Sequence, residues 1–206
     1  MAKKKIKLHL GCGTVYLKGY TNVDAPAHRY RGKHLELMKK DNATTLDKYY
    51  KYPFVWAHSS KRHIIADRYL DIIKLKEHFK ANSVSEILAY QVVEHFPKHE
   101  VVTLLKSWFA LLEKGGIFRV DVPDIIETLK MINGVDCDNI EHIHDKYLDY
   151  ILRLIYGSGK NKYFVHYDGY YPKKLKKMLK DIGYRRIMQH KKNIHDYPSF
   201  GFTCIK

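Results

Sequence analysis

A chain of 206 residues, 45% of them hydrophobic, is long enough to bury a core without disulfide or metal staples. Its longer apolar runs, such as Val101–Leu105 and Ile151–Ile155, fall far short of the roughly 20 residues a membrane-spanning helix needs. A net charge of +15 admits a polyanionic partner, yet lysine greatly outnumbers arginine, the better bidentate phosphate reader. The lysines are also scattered, with dense runs only at Lys3–Lys5 and Lys173–Lys180, as a solubilising surface would have them.

The start, Met1–Lys5, has neither the apolar segment nor the cleavage site of a secretory signal. It leads into a predicted strand at Ile6–Leu10, which ends in Gly11-Cys12-Gly13. A second strand is predicted at Thr21–Ala25, closed by Pro26. Residues 28–60, with Tyr49, Tyr50, Tyr52 and Trp56, have little periodicity. His63–Ala66 reads as a third strand ending at Asp67, and Glu86–Tyr90 as a fourth, entered from the turn pair Asn82-Ser83. Glu100–Leu112 is an amphipathic helix with Val101, Leu104, Leu105, Trp108, Leu111 and Leu112 on one face, stopped by Lys114-Gly115-Gly116. Ile117–Val122 is a fifth strand. Helices follow near Ile125–Ile132, Ile140–Ile155 and Pro172–Ile182, the last with proline in its first turn and Gly183 as its cap. Arg185–His190 and Gly201–Ile205 close the chain as paired strands. Strands alternating with helices predict an α/β fold, a Rossmann-like three-layer sandwich. Its sheet would be mostly parallel and seven-stranded, with an antiparallel C-terminal strand. One domain over residues 1–206 is expected, with room for a helical insertion about 125–160.

Ligands of such sheets bind beyond the carboxyl ends of the strands, where this sequence concentrates glycines and carboxylates. Leu8-His9-Leu10-Gly11-Cys12-Gly13-Thr14 lets the backbone turn sharply and approach a ligand where a Cβ would collide. Two such glycines alone are common in turns, and the third glycine of a dinucleotide clamp is missing. Asn22-Val23-Asp24 ends the neighbouring strand with an acid able to accept hydrogen bonds from ribose hydroxyls, unless it is simply a turn residue before Pro26. Asp67 suits either the exocyclic amine of adenine or a helix N-cap. At Ala89-Tyr90-Gln91-Val92-Val93-Glu94-His95-Phe96-Pro97 the fourth strand empties into a loop. No ligand spacing follows Glu94 and His95, and Pro97 breaks any helix that would align His95 with His99, so no metal is expected. Glu141, His142, His144 and Asp145 point to different faces of a helix and read as a solvated helix start. Cys12, Cys137 and Cys204, widely spaced, suggest reduced thiols and a cytoplasmic setting.

Taken together, Leu8–Asp24, Glu86–Pro97 and Leu111–Asp124 resemble the class I S-adenosylmethionine-dependent methyltransferases. The similarity is greatest to the small group related to the type 11 methyltransferases, with Leu-Gly-Cys-Gly, Asn-Val-Asp, Glu-His, Gly-Gly and Val-Pro-Asp in that order. Weaker echoes reach His166, Tyr170 and Leu175–Tyr184. The resemblance implies that Gly11, Cys12 and Gly13 border the methionine part of S-adenosylmethionine and that Asp24 binds its ribose. It implies that Asp67 and Arg68 flank adenine, and that Tyr90 and Gln91 line the cofactor near its sulfonium with His95 just behind. Gly115 and Gly116 would form the turn before the fifth strand. One departure is the short gap from Gly13 to Asp24, which leaves little room for a helix.

His95, Asp124 and His166 are the candidate general bases for a hydroxyl or amine acceptor, with Tyr170 as a positioning group. Three readings follow. The favoured one is a methyltransferase for a small-molecule or glycan acceptor, since the group often accompanies such biosynthesis and the Pro-Pro-aromatic and Pro-Cys signatures of DNA methyltransferases are absent. The charge and 17 tyrosines keep a nucleic-acid acceptor open. A non-catalytic cofactor-binding protein is the third.

Overall fold

The computed structural model describes residues 5–32, 35–41, 43–51, 63–133, 145–191 and 197–206. Tyr52, Trp56, Cys137 and the Glu141–His144 cluster lie outside the described residues.

Seven strands form one sheet. They are β1 (Ile6–Leu10), β3 (Thr21–Asp24), β5 (Arg68–Tyr69), β6 (Val84–Tyr90), β7 (Leu112–Pro123), β8 (Arg185–Gln189) and β9 (Ser199–Ile205), in spatial order β5-β3-β1-β6-β7-β9-β8. All neighbouring pairs are parallel except those made by β9, which runs antiparallel to both β7 and β8. From β1 the chain winds outward to β3 and β5, then returns to β6 and winds the other way. The strand order therefore reverses between β1 and β6, where an open α/β sheet leaves its ligand crevice.

The two faces of this sheet differ. Leu8, Leu10, Val23, Ile87, Ala89, Phe118, Val120, Val122, Phe200 and Phe202 belong to one apolar cluster. Against it pack α2 (Lys98–Leu111), through Val101, Leu104, Leu105 and Trp108, and α5 (Pro172–Ile182), through Leu175 and Leu179. The opposite face carries a small second cluster of Val15, Leu17, Tyr49, Leu88 and Tyr90. Beside it lie the buried polar residues His9, Asn22, Glu86 and Asp121. Glu86 is held there by Lys7 at 2.9 Å and Arg119 at 2.7 Å.

α5 is built as its sequence predicts. Proline stands in the first turn, and Gly183 (φ +116°) closes the last with its N–H on the carbonyls of Leu179 and Lys180. Three expectations need correction. His63–Ala66 forms no strand; the ladder with β3 starts at Arg68. The Asp67 carboxylate accepts the Asn22 backbone N–H at 2.8 Å, where a ladder carbonyl would otherwise stand. Lys114-Gly115-Gly116 does not stop α2, which ends at Leu111. The glycines form a bulge within β7, with Gly115 at φ +79° and Glu86 registered on Ile117. In place of a helix after Gly13 stands a two-stranded ribbon, β2 (Tyr16–Leu17) on β4 (Ala43–Thr44), with α1 (Leu35–Asp41) preceding β4. α3 (Ile125–Asn133) packs against α4 (Asp145–Tyr156). No helix among the described residues is long and apolar enough to cross a membrane.

Candidate functional site

A cavity of about 740 Å³ opens at the carboxyl ends of β1, β3 and β6. Its floor is the turn that leaves β1. Gly11 has φ +59°, and a Cβ there would stand 2.6 Å from Val92 Cγ2. Glycine is required on both counts. The Cys12 N–H bonds the Val23 carbonyl at 3.1 Å, which ties the turn to β3. The Cys12 thiol is buried, and burial with the nearby Asp24 carboxylate pushes its pKa well up, so it is an inert thiol.

Asp24, 5% exposed, ends β3 on the wall of this cavity. Its Oδ2 accepts the Gly13 N–H at 2.7 Å. Its Oδ1 accepts the Ala25 N–H at 2.8 Å and His28 Nδ1 at 2.7 Å. The His28 ring packs on Tyr163 and Phe164 at centroid distances of 5.0 and 5.6 Å, so a segment from far along the chain leans on the acid through one imidazole.

β6 delivers Tyr90 and Gln91. Gln91 adopts φ +56°, rare for a side chain of its kind, and is clamped there by two bonds to Asp121. Its backbone N–H meets the Asp121 carbonyl at 2.8 Å, and its Nε2 meets the Asp121 carboxylate at 2.6 Å. The turn Val93–His95 follows, and residues 157–167 fold back over it. Gly157 bridges Val165, the Tyr167 N–H bonds the Glu94 carbonyl at 2.8 Å, and His95 Nδ1 donates to the Val165 carbonyl at 2.9 Å. His166 Nδ1 donates likewise to the Leu154 carbonyl at 3.1 Å. Burial lowers the pKa of both imidazoles, and with the added repulsion of His95 that of His166 falls to about 4. Both are therefore neutral at physiological pH, with Nε2 bearing the lone pair. Glu94 is 1% exposed, and burial raises its pKa to about 8.

The structure thus brings Gly11, Cys12, Gly13, Asp24, Tyr90, Gln91, His95 and His166 to one cavity. Asp67, Arg68 and Asp124 do not line it. Asp67 is engaged by Tyr16 Oη at 2.6 Å and by Asn22, and the Arg68 guanidinium lies 5.4 Å from the centre of the Phe79 ring. Asp124 caps α3, with Oδ1 accepting the N–H groups of Ile126 and Glu127. Tyr170 is buried in the apolar core. The wall on the β5 side is instead Leu70, Asp71, Ile72 and Ile73, which the sequence reading passed over. The acid Asp71 stands just past β5 as Asp24 ends β3, a signal hidden by the earlier Asp67.

No family model matches the chain, and no curated protein matches it. Solved structures do. A SAM-dependent methyltransferase from Thermotoga maritima superposes with a TM-score of 0.51 at 11% identity, over 100% of this chain and 84% of that one. An O-methyltransferase family protein from Burkholderia thailandensis gives 0.52 at 8% identity, over 100% and 52%. The trans-methyltransferase CalH, solved in complex with SAH, gives 0.52 at 15% identity, over 98% and 51%. This chain spans about half the length of the last two. The reversing sheet, its single antiparallel strand and these superpositions agree: the chain has the class I S-adenosylmethionine-dependent methyltransferase fold.

Proposed function

We propose that the chain is a cytoplasmic methyltransferase that binds S-adenosylmethionine at the Gly11–Asp24 end of the cavity and a small-molecule or glycan acceptor at the His95–His166 end. The observation that carries this reading is the 2.7 Å bond from the Gly13 N–H to Asp24 Oδ2. It joins a bare-backbone turn to an acid at the switch point of the sheet.

The residues fit the cofactor. Gly11, Cys12 and Gly13 would border its amino-acid part, and Asp24, with a lone pair of Oδ2 still free of the bonds above, would accept a ribose hydroxyl. Leu70, Asp71 and Ile72 would flank adenine in place of Asp67 and Arg68. Tyr90 and Gln91 would stand between the two ends. When bound, S-adenosylmethionine supplies an electrophilic methyl group on a sulfonium centre. The chain's own task is alignment, and holding two reactants in attack geometry is worth roughly 7–11 kcal/mol. A neutral imidazole of His95 or His166 can take a proton from an acceptor hydroxyl or amine. Asp124, occupied as a cap, has no part in that step.

The charge distribution favours a small acceptor over a nucleic acid. Among the described residues lining the cavity the cations are Arg153 and Lys162, against the carboxylates Asp24, Asp71 and Glu100. In the lysine run of α5, Lys174 is bound to Asp168 and Lys177 to Asp181, each at 2.6 Å. A polyanion track needs unpaired cations leading into the site. Calorimetric titration with S-adenosylhomocysteine tests the cofactor assignment. At 100 times its dissociation constant the ligand should stabilise the fold by roughly 2.7 kcal/mol. No stabilisation would refute it, and salt-sensitive RNA or DNA binding would overturn the acceptor class.

A further inference from the structure

We propose that Glu94, His95 and His166 bind a divalent first-row transition-metal ion of the zinc class, with its open coordination positions facing the acceptor end of the cavity. This inference rests on the cofactor and acceptor-site reading above but replaces the proton-accepting role given there to His95 and His166. An Nε2 bound to an ion takes no proton, and the ion would instead hold the oxygen-bearing end of the acceptor.

Three features of the site point there. One donor atom from each of the three side chains lies within 4.8 Å of the other two. Both imidazoles are oriented alike, with Nδ1–H donated to a backbone carbonyl, Val165 for His95 and Leu154 for His166. That outer bond fixes the tautomer in which Nε2 is the ligand, as metal-binding histidines normally require. The third feature is Glu94 itself. Apart from its own backbone N–H, neither carboxylate oxygen has a hydrogen-bond partner among the described residues, although both are buried. A buried carboxylate left without partners costs several kcal/mol, and a cation is the partner that removes most of that cost.

Two nitrogens and one carboxylate oxygen form the donor set of catalytic zinc and of open-sided iron or manganese sites, whereas magnesium and calcium take oxygen ligands. Metal–ligand bonds near 2.0–2.2 Å put donors roughly 3.4 Å apart, so the cluster would close by up to about 1.4 Å. His166 sits in residues 157–167, which fold over the site, and among the described residues no side chain bonds the Glu94 carboxyl to hold it back. The sequence conceals the site because His166 arrives from the segment after α4, with no local spacing to His95.

The test is binding of Co²⁺ and Zn²⁺ to untagged, chelator-treated protein, read by calorimetry and by the visible absorption of cobalt. We expect one equivalent bound at micromolar strength or better, with an intense band of low-coordinate cobalt. Replacing an outer-sphere partner of a metal ligand costs about 10–100-fold in affinity. His95→Gln, His166→Gln and Glu94→Gln should each cost at least as much, and His99→Ala, at an exposed histidine beside Glu100, should leave affinity unchanged. Absence of stoichiometric cobalt, or affinity unaltered in all three ligand variants, would overturn the site. A variant that loses the circular dichroism of the parent is replaced by the other two. S-adenosylhomocysteine titration in the presence of chelator separates the two readings. Its failure would refute the cofactor assignment while cobalt binding stood, and the converse result would refute only the metal.

Discussion

Asp24→Asn is the substitution that most directly challenges the cofactor site. The carboxylate now receives three donors: Ala25 N and His28 Nδ1 on Oδ1, and Gly13 N on Oδ2. An asparagine has a single acceptor oxygen, so its amide nitrogen must face one of the two backbone N–H groups. That mismatch should cost about 1–3 kcal/mol of stability. The effect on ligand is separate. A ribose hydroxyl bonded to a charged acceptor is worth roughly 1.5–3 kcal/mol, which corresponds to about 10–150-fold in dissociation constant. Calorimetry with S-adenosylhomocysteine measures the second effect and a thermal melt the first. His28→Ala supplies the contrast, because it keeps the acid and releases a lone pair of Oδ1. Its affinity should equal or exceed that of the parent. If folded Asp24→Asn bound S-adenosylhomocysteine as tightly as the parent, the ribose assignment would be wrong.

Gly11 and Gly19 both have positive φ, but only Gly11 lies on the cavity, and a Cβ at Gly19 meets nothing within 4 Å. Alanine at Gly19 should destabilise by about 1–2 kcal/mol from its backbone alone, and alanine at Gly11 by more because its Cβ also meets Val92. Only Gly11→Ala should weaken S-adenosylhomocysteine binding in a titration. Trp108 Nε1 donates at 3.0 Å to the carbonyl of Ile72, within the cavity wall at 70–73. Trp108→Phe should leave that carbonyl unpaired, lower stability by about 1–3 kcal/mol in a urea melt, and reduce ligand affinity with it. His9 is fully buried, and burial lowers its pKa to about 4 despite its bond to Asn22 and the nearby Asp24. The unfolded chain takes a proton near pH 6.5 that the native state refuses, so stability falls as pH drops from about 6.5 to 4. The loss amounts to about 3 kcal/mol. His166, held near the same value, adds a slope of its own. Melts across that range should therefore lose only the His9 share in His9→Gln, and an unchanged slope would assign that share elsewhere.

The sequence made the apolar face of the sheet legible because burial there is periodic. Val101, Leu104, Leu105 and Trp108 repeat at helical spacing, and β1, β6, β7 and β9 alternate against them. The glycine turn and Asp24 were legible because each must end its own strand. The segment from 28 to 73 was not, since its described residues make their contacts by single side chains without a period. Tyr49 reaches across the sheet to His9 and Tyr90, and an acid before β5 drew the eye from the acid after it. His166 was offered by the sequence as a base, but its grouping with Glu94 and His95 was not legible, because it depends on the fold-back of residues 157–167, which no local pattern announces.

The missing helix between β1 and β3 explains the polar face. A βαβ unit normally uses a helix to space its strands, and here the span from Gly13 to Asp24 is too short for one. Asn22 takes over that work. Its Oδ1 accepts from His9 Nδ1 at 2.9 Å and from the Leu17 N–H at 2.8 Å. Its Nδ2 reaches the carbonyls of Leu17 and Tyr20 and the carboxylate of Asp67. Buried polar groups are tolerable only when satisfied, and this one residue satisfies groups on β1, on the connection itself and on the segment before β5. The tightness of that knot, two residues from Asp24, holds the acid within reach of the Gly13 N–H. Asp67, the acid that the sequence offered to adenine, belongs to the scaffold that positions Asp24, the acid proposed for ribose.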